Sequence, residues 1–108
     1  MIYKFRSKAA GDVIMLGPNG DQFLRLIGRE PAPKGILEVA DMETAVQALE
    51  AAVAADDAAR AEARRDAEAR GDEPPRGGDG VTLRQRVWPM VEMIRRAAAA
   101  RHPIVWGV

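Results

Sequence analysis

Residues 81–108, VTLRQRVWPMVEMIRRAAAARHPIVWGV, decide how this chain folds. Thr82 precedes an apolar series, Leu83, Val87, Met90, Ile94 and Ala97, spaced four, three, four and three, which is the period of a helix with one buried stripe. Its hydroxyl suits the N-cap, and Trp88 and Val91 widen the stripe. Pro89 interrupts the pattern: inside a helix it removes a backbone donor and crowds the preceding turn, at a cost of about 3 kcal/mol unless the helix bends or starts there. Because the stripe crosses Pro89 unbroken, a kink is expected. His102-Pro103 ends the helix, and Ile104, Val105 and Trp106 with Gly107 and Val108 read as a final strand. A segment so apolar belongs inside a sheet, most simply beside the first strand.

That first strand is residues 1–7, MIYKFRS, where Met1, Tyr3 and Phe5 alternate with Lys4 and Arg6 in the two-residue period of a half-buried strand. A loop over 8–12 follows. The apolar run Val13, Ile14, Met15, Leu16 then reads as a second, buried strand, stopped by Gly17-Pro18-Asn19-Gly20, each of which favours a turn. The rival is an irregular helix through this stretch, opposed by the donor that Pro18 lacks and by two glycines costing about 1 kcal/mol each inside a helix. From Asp21, the residues Phe23, Leu24, Leu26 and Ile27 fit a short helix ending at Gly28, with Arg25 and Arg29 on its wet side. Pro31 and Pro33 mark an extended connector, and residues 35–39, GILEV, suit a brief third strand.

Asp41 is placed to cap a helix whose apolar positions Met42, Val46, Leu49 and Val53 recur at steps of four, three and four. Beyond Val53 the large apolar residues stop while strong helix formers continue, with pairs such as Asp56 with Arg60 and Asp66 with Arg70. Each such pair adds only about 0.2–0.5 kcal/mol, so a fraying helical arm is expected, followed over 71–80, GDEPPRGGDG, by a flexible linker. The whole is one domain over 1–108, with the acidic, alanine-rich arm and linker at about 55–80.

Composition narrows the function classes. Cysteine is absent, which removes disulfides, thiolate nucleophiles and thiolate metal sites and accords with a reducing cytosol; a cytoplasmic location is expected. The N-terminus lacks a signal peptide's apolar stretch, and no run approaches the about 18 apolar residues of a spanning helix, so no membrane association is expected. The net charge is zero but uneven: residues 1–40 carry six basic and four acidic groups, 41–80 five and eleven, and 81–108 five and one. A chain with no overall positive field attracts nucleic acid weakly, and exposed charge mostly serves solubility.

Candidate chemistry is sparse. His102 is the single histidine, and a position beside a helix C-terminus suits it whether or not it does chemistry. Ser7, Thr44 and Thr82 complete the Ser and Thr inventory; an assembly of Ser7, His102 and Asp12 has nothing in its spacing to recommend it. The acids Asp56, Asp57, Glu62, Asp66 and Glu68 lack the anchored separation that carboxylate catalysis needs. Residues 76–80, RGGDG, lack the lysine and preceding strand of a phosphate loop. No catalytic residue, metal site or cofactor is therefore expected. The basic helix offers more: Arg84 and Arg95 are three turns apart and share a face, with Arg96 and Arg101 nearby, a row able to meet phosphates or an acidic partner. Set against it, arginines toward a helix C-terminus complement its dipole and pair with the chain's own acids. Trp88 and Trp106 are candidate contact residues too, although tryptophans more often fill cores.

The runs Leu83-Arg84-Gln85-Arg86, Trp88-Pro89, Glu92-Met93 and Arg95-Arg96-Ala97, the closing Val105-Trp106-Gly107-Val108, and the opening Phe5-Arg6-Ser7-Lys8 with Asp12-Val13-Ile14-Met15 resemble a bacterial family known from proteobacteria, the domain of unknown function numbered eighteen-forty. The resemblance covers both ends of the chain and leaves the middle as a variable stretch. It implies a small bacterial protein and brings no activity and no site residues. At Gly17-Pro18-Asn19-Gly20 a more helix-compatible sequence is expected in relatives, which keeps the helical alternative for 13–16 open. The expected fold is α+β: a small, mostly antiparallel sheet with N- and C-terminal strands paired and two to three helices packed on one face. The leading functional expectation is a non-enzymatic cytosolic protein-interaction module, self-associating as a homo-oligomer or bound to a protein partner, whose contact surface involves the basic C-terminal helix and an exposed tryptophan. Nucleic-acid or acidic-partner binding through Arg84, Arg95, Arg96 and Arg101 comes next, and an uncharacterised enzyme last.

Overall fold

A computed structural model describes residues 2–73 and 81–108. The chain runs β1 (Ile2–Ser7), β2 (Ala10–Leu16), α1 (Gly17–Leu26), β3 (Gly35–Leu37), α2 (Val39–Arg70), α3 (Leu83–Ala100) and β4 (Ile104–Trp106). The four strands form one antiparallel sheet in the order β2-β1-β4-β3, so the last strand enters between the first and the third. Phe5 pairs with Trp106 on one side of β4, and Gly35 pairs with the same Trp106 on the other. The N- and C-terminal strands are therefore paired, and the three helices lie on one face, giving the α+β architecture read from the sequence.

The alternation of each strand decides which face is buried. Tyr3, Phe5, Met15, Leu37, Ile104 and Trp106 point into the core, where they meet Phe23 and Leu24 of α1, Met42, Ala45, Leu49 and Val53 of α2, and Val87, Met90, Val91 and Ile94 of α3. Rings interlock at the centre: Phe5 lies edge-on to Phe23 at 5.3 Å and tilted against Trp106 at 5.5 Å. Trp106 also satisfies its one polar atom, donating Nε1–H to the Ala32 carbonyl at 3.1 Å. Gly35 is required opposite it, because a Cβ there would stand 2.3 Å from the indole.

Several expectations are corrected. Residues 8–12 are not a loop: the turn is Lys8-Ala9, and β2 begins at Ala10, paired with Ser7 across a register shift in β1. Asp12 sits within the strand because its carboxylate faces outward to Lys4 at 3.6 Å and Arg6 at 3.9 Å. Nor is β2 a buried strand. It is an edge strand with Met15 buried, Val13 half-buried, and Ile14 and Leu16 63% and 64% exposed. Gly17-Pro18-Asn19-Gly20 is not a turn but the start of α1, with Pro18 in the first turn, where the missing donor has no intrahelical acceptor to lose. Asp41 does not cap α2; the helix starts earlier, after Glu38, because half-buried Val39 packs on the core, and Asp41 instead pairs with Arg29 at 3.6 Å. The third strand stops at Leu37 for the same reason. In α2 the fully buried positions include Ala45, while Val46 is half-buried.

The helix α2 continues as a single element of 32 residues to a left-handed cap at Gly71, and past Val53 its one buried residue is Ala67, outside the main core. The linker reading for 71–80 lies, from residue 74 onward, outside the described residues. Thr82 caps α3 as expected, in a full capping box with Gln85, and Pro89 lies inside the helix on its exposed side.

Two predictions arise here. Glycine to alanine in a helix ordinarily stabilises by about 1 kcal/mol. At Gly20 the added Cβ would stand 2.1 Å from the Tyr3 ring, so Gly20→Ala lowers unfolding free energy by about 1–3 kcal/mol in urea melts. Tyr3, the single tyrosine, donates its hydroxyl to Asp21, and burial first, then the hydrogen bond and charge of Asp21, push its pKa up to about 12, with Arg25 acting in the opposite sense. The native state thus holds this proton more tightly than the unfolded chain, and the stability it contributes is complete below pH 10 and is lost as pH rises towards 12. Absorbance titration of the phenolate should show native Tyr3 ionising near 12; ionisation near 10 would show that Tyr3 is neither buried nor bonded to Asp21.

Candidate functional site

The expected arginine row lies on α3, and the fold gives it a counterpart. Arg84 and Arg95 are three turns apart on α3, and Asp57 and Glu50 are two turns apart on α2, which packs against α3 in the opposite direction. Arg84 Nη2 bonds Asp57 Oδ2 at 2.7 Å, and Arg95 Nη2 bonds Glu50 Oε1. Between the two pairs lies Trp88, half-buried, with the guanidinium groups of Arg84 and Arg95 at 5.7 and 5.6 Å from its ring. The tryptophan thus serves as a platform for both arginines, and each cation has an anion and a π-face in reach.

The other named residues fall elsewhere. Arg96 is one residue, and so about 100° around the helix, from Arg95. Arg101 is the C-cap of α3 in the left-handed conformation, φ 59°. Among the described residues neither side chain makes a hydrogen bond or an ion pair, and both residues are exposed. Trp106 is a core residue, 3% exposed. Of the six candidates the structure therefore brings together Arg84, Trp88 and Arg95, and it separates Arg96, Arg101 and Trp106 from them.

A second locus was not assembled by sequence reasoning. The β1–β2 turn and the α3–β4 connection meet in a groove of about 470 Å³ lined by Arg6, Ser7, Lys8, Asp12, His102, Pro103 and Val105. Ser7, Asp12 and His102 thus share one site, without the hydrogen bonds of a catalytic relay between them. Ser7 Oγ accepts the Ala9 N–H at 3.3 Å, Asp12 is engaged by Lys4 and Arg6, and no hydrogen bond joins the three. The signal that could have found the groove is the pairing of first and last strands, which carries Arg6 against Val105.

The third locus is the sheet's outer face, which no helix among the described residues covers. It carries Ile2, Ile14 and Leu16 at one end, Lys4, Arg6 and Asp12 along its length, and Ile36 beyond Val105. Among the described residues there is no cluster of metal-ligating side chains, and no helix is long and apolar enough to cross a membrane.

A family model described as Domain of unknown function (DUF1840) matches residues 1–106, and the chain belongs to that family. No curated protein and no solved structure matches it. The match spans the acidic middle as well as both ends, and it attaches no activity to the fold.

The two ion pairs of the arginine row are half-exposed, which sets their strength. A double-mutant cycle of Arg84→Ala and Asp57→Ala in urea should give a coupling of about 0.2–1 kcal/mol that shrinks with added salt. Zero coupling at low salt would leave Arg84 free for a partner.

Proposed function

We propose that this member of the DUF1840 family is a non-enzymatic interaction module that self-associates through the bare end of its sheet. The observation that carries the reading is the exposure of Ile2, Ile14 and Leu16, at 64%, 63% and 64%. Register places Ile2 opposite Leu16 and Lys4 opposite Ile14, so the three aliphatic side chains are neighbours. Single exposed aliphatics are ordinary, whereas a contiguous group is a contact surface. Two of them stand on β2, whose outer edge has no strand partner among the described residues. The run Val13, Ile14, Met15, Leu16 contains no charge and no proline, the usual protections of an open edge.

The occupant is a second copy of the chain. An edge strand pairs antiparallel with its own twin about a two-fold axis, and such an isologous contact presents the same three side chains from each copy. Edge pairing leaves the outer face open, so Ile14 and Leu16 of the two copies meet side by side and each gains only part of the about 1.5–3 kcal/mol of full burial, set against the roughly 4–15 kcal/mol lost on association. A weak, concentration-dependent dimer follows. Binding of nucleic acid or an acidic partner through Arg84, Arg95, Arg96 and Arg101 has less support, because the first two already have counter-ions and the chain has zero net charge.

Sedimentation across a concentration series tests the reading. The chain should pass from monomer to dimer, and the double variant Ile14→Lys with Leu16→Lys should stay monomeric, with each exposed substitution altering stability by no more than about 0.5 kcal/mol. A chain monomeric at every concentration, or a variant that still dimerises, would overturn it.

A further inference from the structure

We propose that the groove between the β1–β2 turn and the α3–β4 connection binds the phosphate group of a small organic phosphate. Four donor-bearing side chains from opposite ends of the sequence line it: Arg6, Ser7, Lys8 and His102. The Arg6 guanidinium spends Nη1 on the Val108 carbonyl at 3.1 Å and has Nε 3.9 Å from Asp12, which holds the group in place and leaves its remaining N–H groups to donate. Lys8 stands exposed on the turn and makes no ion pair among the described residues. The Ser7 hydroxyl accepts from the Ala9 N–H, so its own proton remains for a ligand oxygen. His102 follows α3 directly and brings its ring nitrogens to the lining from the other end of the chain.

Asp12 is the one acid in the lining, set against Arg6 and Lys8, and its charge is already shared by Lys4 and Arg6. With Arg6 and Lys8 set against one acid, the balance favours an anion. Guanidinium, ammonium, hydroxyl and imidazole groups arriving from two sides match the three terminal oxygens of a phosphate monoester better than the two of a carboxylate. The volume, about 470 Å³, lies within the usual range for small-molecule sites and exceeds what a bare phosphate fills. Pro103 and Val105 form an apolar wall for the organic part. The site lies at the opposite end of the hairpin from Ile2 and Leu16, so it stands whether or not the chain dimerises.

His102 is the single histidine, so its imidazole resonances identify themselves in a spectrum of the full chain. Titration with phenyl phosphate should move them, with the Ser7 and Lys8 amides, along a saturable curve. Benzoate should bind more weakly. Lys8→Gln, an exposed change that leaves the melting temperature in place, should weaken phenyl phosphate about tenfold, the loss of one charge-assisted bond. A response that does not saturate, that is equal for benzoate, or that is unaltered by Lys8→Gln would overturn the assignment.

Discussion

Everything in this fold depends on the insertion of a three-residue strand, Ile104–Trp106, between β1 and β3. Strand pairing alone over so short a length is weak; the Trp106 side chain makes it decisive. Its indole is packed against Phe5, leaves room for nothing larger than hydrogen at Gly35, and hydrogen-bonds Ala32 in the connector that leads into β3. One side chain thereby ties the first strand, the third strand and the proline-rich connector to the end of the chain. Without β4, β1 and β2 are an isolated hairpin and β3 has no neighbour, which is marginal in water.

The helical layer depends on the same end of the chain. The helix α3 reaches β4 through Arg101, His102 and Pro103, with Val87, Met90, Val91 and Ile94 on the sheet and on α2, and Arg84, Trp88 and Arg95 at its edge with α2. Surface ion pairs of this kind add little energy, so their role is to orient the helices once the apolar stripe has brought them together. The acids of the middle region thus have an identified use at Glu50 and Asp57, while those further along α2 remain on an exposed helix.

The sheet's ends were legible in the sequence because alternation and helix period are strong signals where large apolar residues are dense: Tyr3 and Phe5, Leu83 to Ala97, Ile104 and Trp106. The misread places are those where tertiary contact overrides local preference. Ala10, Gly11 and Asp12 have poor strand propensity and are held by pairing with β1 and by the outward ion pairs of Asp12. Gly17 to Gly20 favours a turn locally, yet the Tyr3 ring needs the space a helical Gly20 leaves. Ala45 carries no large side chain to announce its burial. The arginine row was read as a face, and its anions lie on another helix, which no helical spacing reveals. The groove joins Ser7 and Lys8 to His102 across nearly the whole chain, and only the β1–β4 pairing brings them together.

The outer face of the sheet therefore has two characters, aliphatic at the Ile2 and Leu16 end and cationic near the Lys8 turn, and both depend on β1 being held in the sheet by β4. The most direct measurement is thermal melting of the chain ended after Pro103, which lacks Ile104, Trp106 and the residues that follow. The fold described here predicts loss of the cooperative transition and of near-ultraviolet ellipticity from the packed aromatic rings. A shortened chain that melts cooperatively near the temperature of the full chain would contradict it.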